Sequence, residues 1–336
     1  MSSSKRSIAL LYWGRRGGGD LLARQLGEEA QSRNIETLLF LRPKKWGTSD
    51  SDVSIFNVLA WLSARREVIR GIEAAGVSSL IIPMASPWDI FLGRKLTRNG
   101  IEVIRIIHDA SPHPGDFFPP KFWIRLLCND ASKIIALSAY VAHNLSKMYS
   151  LKSHQLSIAT LPGLELTNEN LQKSRGSRKK FLFIGRAGKY KGLQNLLHAW
   201  QNVGDSESIL IVAGEGHKVP RSIKRVTHIN RWLDEKELVA LILEADVVVL
   251  PYIEASQSGI VAVALSLSRP VVVTPVGALA EQIKNGINGL VCKDTSPQSL
   301  SDALNSAISH PFRFEKESSK ASSVGKLFNI CIEKSN

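Results

Sequence analysis

Two cations five positions apart are the clearest candidates for chemistry in this sequence. Arg186 and Lys191 lie in the loop GRAGKYKG at 185–192, which follows an apolar run at 181–184. Because glycines begin and end the loop, its backbone can bring both cations to one anion. A diphosphate carries the charge that such a pair neutralises, and fixed cations favour the departure of a phosphate leaving group. The loop therefore predicts a diphosphate site; a purely solvated role for the two charges is the alternative.

The stretch 251–292 predicts a second anion-binding element. It follows an apolar run at 247–250 and passes through the sequence SQSG, at 256–259, into a helix of small residues. Backbone N–H groups without helical partners converge at a helix start, where the helix dipole is positive. A strand that leads through such a turn into a helix favours anion binding.

The same stretch predicts a βαβ unit. A second apolar strand is expected at 270–273, and Gly277 and Glu281 then predict a further strand-to-helix junction. The polar groups of this unit follow the carboxyl ends of its strands, which is the edge where open α/β sheets bind ligands.

The N-terminus predicts a comparable strand, turn and helix. An apolar run at 8–12 precedes a turn that contains Gly18 and Gly19, and apolar residues then recur at helical spacing. The glycine spacing differs from the dinucleotide-binding fingerprint. These glycines either let the backbone approach a ligand closely or serve only the geometry of a tight turn.

A polar cluster follows the apolar run at 103–107. It contains His108, Asp109, His113 and Asp116. The two histidines lack the helical i, i+4 spacing of a zinc protease motif, and no third ligand is evident, so no metal site is predicted. We expect His108 to be a polar residue of the binding cleft and His113 to lie in a surface loop.

The elements that carry these residues alternate regularly along the chain. Strands too apolar for burial on one face alternate with helices in both halves, which predicts α/β structure with parallel sheets covered on both faces. At 336 residues the chain fits two domains that face a cleft. We expect an N-terminal Rossmann-like domain at 1–167, a second at 178–312, and a tail with a helix at 313–336 that packs back on the first domain.

Composition narrows the classes of protein. The net charge is +13, spread over both halves, which indicates either an anionic lipid or phosphorylated partner or a solubility effect, and not a nucleic-acid-binding tail. The loop around Lys44, Lys45 and Trp46 either faces an acceptor or a membrane or is simply solvated. No apolar run reaches the length of a spanning helix, and three scattered cysteines indicate a reducing, cytoplasmic compartment.

Taken together, these motifs resemble those of the GT-B glycosyltransferases, and most closely the retaining enzymes of family 4, the glycosyl transferases group 1. The resemblance rests on the 185–192 loop, a Gly-Glu-Gly turn at 214–216 and the 254–290 stretch. It implies a nucleotide-sugar donor in the second domain, an acceptor in the first, and no metal or other cofactor. It implies catalytic roles for His108, Arg186 and Lys191. It implies donor contacts for Gly18, Gly19, Gly185, Gly192, Glu215, Arg231, Glu254, Ser256, Gln257, Ser258, Gly259 and Ile260.

The sequence departs from this family at two acidic positions. Family members usually have two glutamates, eight positions apart, where this chain has Ser256 and Ala264. Glu254 can stand in for the first, and no acidic residue replaces the second.

The resemblance predicts transfer of a sugar to a cell-surface glycan or glycolipid, with retention, in the cytoplasm or at the inner face of the membrane. A nucleotide-sugar 2-epimerase and a non-catalytic sugar- or nucleotide-binding subunit are the alternatives.

Overall fold

The computed structural model describes residues 7–14, 18–41, 55–86, 89, 92–111, 121–163, 178–314 and 323–333. They divide into two compact units. The first contains the described residues up to 162 together with the last helix, and the second contains the described residues 163–314.

The first unit is built from a parallel sheet and the helices that connect its strands. Its strands are β1 (Ser7–Tyr12), β2 (Glu36–Leu41), β3 (Ser79–Ile82), β4 (Glu102–Ile107), β5 (Lys133–Ala136) and β6 (Leu156–Ile158). Its helices are α1 (Gly18–Ser32), α2 (Ile55–Ala74), α3 (Gly93–Arg98), α4 (Lys121–Asn129), α5 (Ala139–Met148) and, at the end of the chain, α10 (Ser323–Ile332). The strand order is β2-β1-β3-β4-β5-β6, with every recorded pair parallel.

The second unit repeats this construction. Its strands are β7 (Lys180–Ile184), β8 (Ile209–Ala213), β9 (Val226–Ile229), β10 (Val247–Leu250), β11 (Val271–Val273) and β12 (Gly289–Val291). Its helices are α6 (Leu193–Gln201), α7 (Glu235–Glu244), α8 (Gly259–Ser266) and α9 (Pro297–Ser309). The order β12-β11-β10-β7-β8-β9 is again parallel for the strands described.

Alternate residues of the central strands belong to cores on opposite faces of each sheet. Phe181 and Phe183 of β7 pack into one cluster with α6 and α9, whereas Leu182 and Ile184 pack into another with residues of α7 and α8. Side chains of a strand point alternately to its two faces, so a strand covered on both sides is apolar throughout. The predicted fold class of two Rossmann-like α/β domains is confirmed.

Helix α10 packs on the first unit. Val324, Leu327 and Phe328 are buried in the core cluster that also contains residues of α1 and β1. The ammonium group of Lys133, on β5, donates hydrogen bonds to the carbonyl oxygens of Ile330 and Glu333, at 2.7 and 3.0 Å. A buried cation therefore satisfies carbonyls at the C-terminal end of this helix.

Helix starts follow the local signals in the sequence. Asp234 and Glu237, three residues apart, form a capping box at the start of α7. The helix predicted from Gly277 and Glu281 is wrong, because only a 3-10 turn, Ala280–Gln282, forms there. Gly277, with φ of +53°, instead lets the chain pass against the carbonyl of Ala255, where a Cβ would not fit.

No helix in the described part of the chain has both the length and the apolar character needed to cross a membrane. The three cysteines are buried free thiols, and burial raises the pKa of each to about 12. His113, the loop around Lys44, Lys45 and Trp46, and residues 168–177 between the two predicted domains lie outside the described residues.

Candidate active site

The strand order of the second unit marks one edge of its sheet as a binding site. The chain moves from β7 to β8 on one side and from β10 to β11 on the other, and β7 and β10 are neighbours. In parallel α/β sheets ligands bind outside the carboxyl ends of two such strands, where the strand order reverses. Here those ends lead into Gly185 and Pro251, which begin the two stretches that the sequence singled out.

Lys191 lies over the carboxyl end of β7. A Cβ added to Gly185 would come within 2.5 Å of the Lys191 ammonium nitrogen, so glycine leaves the space that this cation uses. The ammonium nitrogen also lies 5.9 Å from the ring centroid of Tyr190 and 5.6 Å from that of Tyr252. Both distances are within the range of a cation–π interaction. Arg186, one residue past Gly185, is exposed.

The backbone of the two stretches is joined directly. The Tyr190 carbonyl accepts hydrogen bonds from the amides of Ile253 and Glu254, at 2.7 and 3.5 Å. Gly192 has φ of +69° and lies so close to the Pro251 carbonyl that a side chain would clash with it. Because only glycine combines this backbone angle with such close approach, Gly192 fixes the adjacent Lys191 beside the β10 end.

The turn after β10 leads into α8 at Ser258. Ser258 occupies the N-cap position in an extended conformation, yet its side chain makes no capping hydrogen bond to the described amides of α8. Its backbone is held from both sides by Gln282, whose Oε1 accepts from the Ser258 amide and whose Nε2 donates to the Ser258 carbonyl. At Gly259 no described atom lies within 4 Å of an added Cβ. The start of α8 therefore presents open space next to its first amides.

The other residues of the turn have different surroundings. Ser256 and Ser258 are buried, Gln257 and Ile260 are partly buried, and Glu254 is exposed. The structure thus brings Gly185, Lys191, Gly192 and Glu254 together through contacts between their two stretches.

The turn after β8 borders the same loop. The Ala187 amide donates to the carbonyl of Glu215, whose side chain is exposed. His217 is buried against Phe183, and its Nε2–H donates to the Gly185 carbonyl at 2.6 Å. Burial lowers the pKa of His217, so the neutral imidazole that makes this bond is favoured. His217 thereby fixes the peptide at the end of β7.

Arg231 is engaged in a surface ion pair. Its guanidinium donates two hydrogen bonds to the carboxylate of Glu237, at 2.9 and 2.6 Å, and this pairing lowers the pKa of Glu237 to about 2. To contact a nucleotide sugar as predicted, Arg231 would have to bind both the Glu237 carboxylate and the ligand.

The first unit contains the other predicted residues. His108 follows β4, and its Nε2–H donates to the carbonyl of Pro83, next to the end of β3, at 3.1 Å. Burial lowers the pKa of His108 and favours the neutral form. Gly19 lies against the ring of Tyr12, which occupies the space of a side chain, whereas no described atom lies within 4 Å of a Cβ at Gly18.

Sequence reasoning did not single out Tyr190, Tyr252, His217 or Gln282. Tyr190 and Tyr252 are adjacent to Lys191 and Pro251 in the sequence. Their rings approach Lys191 only because β7 pairs with β10. Among the described residues no group of three or more His, Cys, Asp or Glu side chains could hold a metal ion.

The sequence similarity to a known protein family lies in the second unit. Residues 178–310 match the family model for glycosyl transferases group 1. A 155-residue region is 29% identical to the glycogen synthase of Mycobacterium tuberculosis, and it spans 42% of this chain and 36% of that enzyme. The chain therefore spans well under two thirds of the length of that relative.

Solved structures match over nearly the whole chain. The lipopolysaccharide outer core galactosyltransferase WaaB has a TM-score of 0.68 at 16% identity, covering 97% of this chain and 99% of that one. HepE from Anabaena, solved with UDP and glucose, has a TM-score of 0.62 at 15% identity, covering 97% of this chain and 94% of that one. These matches confirm the GT-B fold. Within that fold, residues 178–310 of this chain are similar to the glycosyl transferases group 1 family.

Proposed function

We propose that the protein transfers a sugar from a nucleoside diphosphate sugar to a glycan or glycolipid acceptor, with retention of the anomeric configuration. The observation that carries this proposal is the position of Lys191 at the strand-order reversal of a group 1 glycosyltransferase domain. The chain spans less than half of the glycogen synthase that it resembles, so the activity of the whole protein is part of the proposal.

The cations of the 185–192 loop act on the leaving group. Lys191 and Arg186 would neutralise the diphosphate as its bond to the sugar breaks, and the first amides of α8, at Gly259 and Ile260, would donate to phosphate or sugar oxygens. HepE, which has a similar fold and was solved with UDP and glucose, supports a nucleotide as the ligand of this protein. These groups act without a metal ion in the proposed reaction.

The remaining predicted residues would recognise the donor. Glu254 would bind sugar hydroxyls in place of the usual first glutamate, and Ser256 and Gln257 would line the turn beside it. We assign Gly185, Gly192, Glu215 and Arg231 to the edge of the donor site, and His108, Gly18 and Gly19 to the side of the reacting sugar. The neutral His108 suits hydrogen bonding to a hydroxyl group better than binding an anion.

The acceptor proposed is a cell-surface glycan or a lipid-linked precursor at the inner face of the membrane. The net charge of +13 supports attraction to anionic lipid.

The test is a two-stage ligand assay. Thermal unfolding is first measured with UDP, GDP, ADP, CMP and inorganic phosphate, because a ligand that binds the native state raises its stability by mass action. We expect one nucleoside diphosphate to stabilise the chain far more than phosphate does. Absence of stabilisation by every nucleotide overturns the proposal.

The second stage follows the sugar. The matching nucleotide sugars are incubated with and without glycan and lipid acceptors, and products are identified by mass spectrometry. Transfer to an acceptor is the expected result. An epimerised nucleotide sugar formed without acceptor indicates the epimerase instead.

A binding subunit is the second candidate, favoured by Ser256 and Ala264 at the positions where the family has glutamates. Nucleotide binding without transfer or hydrolysis would support it.

A further inference from the structure

Tyr252 contacts both halves of the proposed phosphate site, which are Lys191 and the start of α8. It follows Pro251 at the carboxyl end of β10 and is 4% exposed. The Thr274 hydroxyl donates to its carbonyl at 2.5 Å. Its backbone and side chain are thus fixed at the strand-order reversal.

The ring of Tyr252 contacts the lysine half of the site. The Lys191 ammonium nitrogen lies over this ring and over that of Tyr190, at 5.6 and 5.9 Å from their centroids. The two rings pack edge to face, at 82° and 6.0 Å. A lysine side chain has a flexible four-carbon stem, so without such contacts its ammonium group samples many positions. The rings and the bare Cα of Gly185 define one position for it.

The phenol of Tyr252 contacts the helix half of the site. It is hydrogen-bonded to the Ser258 hydroxyl, and burial raises its pKa to about 12, so it stays neutral. A serine at an N-cap ordinarily accepts a hydrogen bond from an amide of its own helix. Ser258 has the extended backbone of an N-cap residue but does not cap the described amides of α8. Its hydroxyl is instead hydrogen-bonded to Tyr252.

We propose that Tyr252 is a positioning residue for the nucleoside diphosphate: its ring holds the Lys191 ammonium, and its phenol holds the Ser258 hydroxyl away from the first amides of α8. The ligand then meets a fixed cation and uncapped amides without a cost of reorganising them. This inference rests on the proposed function, since it assumes that Lys191 and α8 bind phosphate.

Two variants separate the ring from the phenol. Tyr252→Leu removes both contacts, and Tyr252→Phe keeps the ring. UDP and UMP affinities are measured by calorimetry, with thermal unfolding in parallel. We expect Tyr252→Leu to weaken UDP binding about tenfold or more, with UMP affected less, and Tyr252→Phe to recover part of the loss.

A double-variant cycle tests the phenol. If the freed Ser258 hydroxyl competes with phosphate for the amides of α8, Tyr252→Phe will weaken UDP binding less in a Ser258→Ala background. Additive losses contradict the role of the phenol.

Tyr149→Leu is the matched control. Tyr149 is 7% exposed, and its phenol donates to the carbonyls of Ala110 and Lys121 in the first unit. We expect it to lower the melting temperature and leave UDP affinity unchanged.

Two results would overturn the inference about Tyr252, and a third would overturn the proposed function. Unchanged UDP affinity in both Tyr252 variants overturns the inference. So does an equal loss of UDP and UMP affinity that follows thermal stability, which is what a purely structural role gives. A wild-type chain that binds no nucleoside diphosphate overturns the proposed function itself.

Discussion

A substitution at Gly259 is expected to affect folding stability and ligand binding differently. As the first residue of α8 it faces open space, with no described atom within 4 Å of an added Cβ. Gly259→Ala should therefore leave stability unchanged or raise it by about 0.5–1 kcal/mol, because alanine favours helix and restricts the unfolded chain. The added methyl group should nevertheless weaken UDP binding, since it occupies the space next to the amides. Thermal unfolding measures the stability of the variant, and calorimetry measures its UDP affinity. Undiminished UDP binding would mean that the ligand does not bind at the start of α8.

Two histidines, of which His217 is buried and His108 is partly buried, predict how stability depends on pH. Burial lowers the pKa of His108 and of His217 below their ordinary value of 6.5. Below about pH 6.5 the unfolded chain binds protons that the folded chain does not, so the free energy of unfolding should fall from pH 7 to pH 5. His217→Gln can keep an N–H donor for the Gly185 carbonyl and should show a shallower fall. Urea unfolding at several pH values measures both slopes, and equal slopes would contradict this role of His217.

At the residue scale the sequence predicted the types of site residue better than their contacts. Lys191, Gly185 and Gly192 could be chosen because glycines flank cations after an apolar run. Tyr252 could not, because its contacts with Lys191 and Ser258 depend on the parallel pairing of β7 with β10.

The buried ion group beneath β4 holds several elements of the first unit together. Arg105 is 2% exposed and binds the carboxylates of Asp89 and Asp130, at 2.8 and 3.2 Å. Asp130 also accepts the amide of Gly93 at the start of α3. Burial raises the pKa of Asp89 despite the adjacent Arg105.

Arg105→Met should cost about 3–5 kcal/mol of stability, because it leaves two buried carboxyl groups without their cation. Arg178→Ala is the control, since Arg178 pairs with Glu207 at 3.6 Å with both side chains exposed. That change should have little effect. Denaturant titration compares the two variants, and similar losses would contradict a structural role for the buried group.

At the element scale, long and strongly patterned elements were the most predictable. The apolar strands β7 and β10 and helices such as α7 and α9 follow from periodicity and capping residues. The three-residue edge strands β6 and β12 could not be predicted, because so short a run carries little pattern and forms only by pairing with a neighbour. The junction at Gly277 failed because its glycine serves close approach to Ala255.

For the whole molecule, the last helix links the end of the chain to the first unit. Phe328 is fully buried in that core, and the Arg33 guanidinium lies 5.1 Å from the centroid of its ring. Phe328→Ala should lower stability by about 3–5 kcal/mol through lost burial and a cavity. UDP affinity should not change, since the proposed phosphate site lies in the second unit. A denaturant titration and calorimetry check both parts, and a stable variant would contradict this packing.

The two-unit organisation was accessible from sequence because strand and helix patterns restart after a polar stretch. The contacts of α10 with the first unit, such as that of Leu327 with the α1 core, join distant parts of the chain.

The central claim is that Lys191 binds the diphosphate of a nucleotide ligand. The most direct test compares UDP affinity in Lys191→Ala and Lys189→Ala, which remove the same charge from the same loop. Lys189 is exposed, whereas Lys191 lies over Gly185 and close to the Tyr190 and Tyr252 rings. We predict a loss of at least about tenfold for Lys191→Ala, from a charged contact worth about 1.5–3 kcal/mol, and little change for Lys189→Ala. Equal affinities in the two variants would contradict the account.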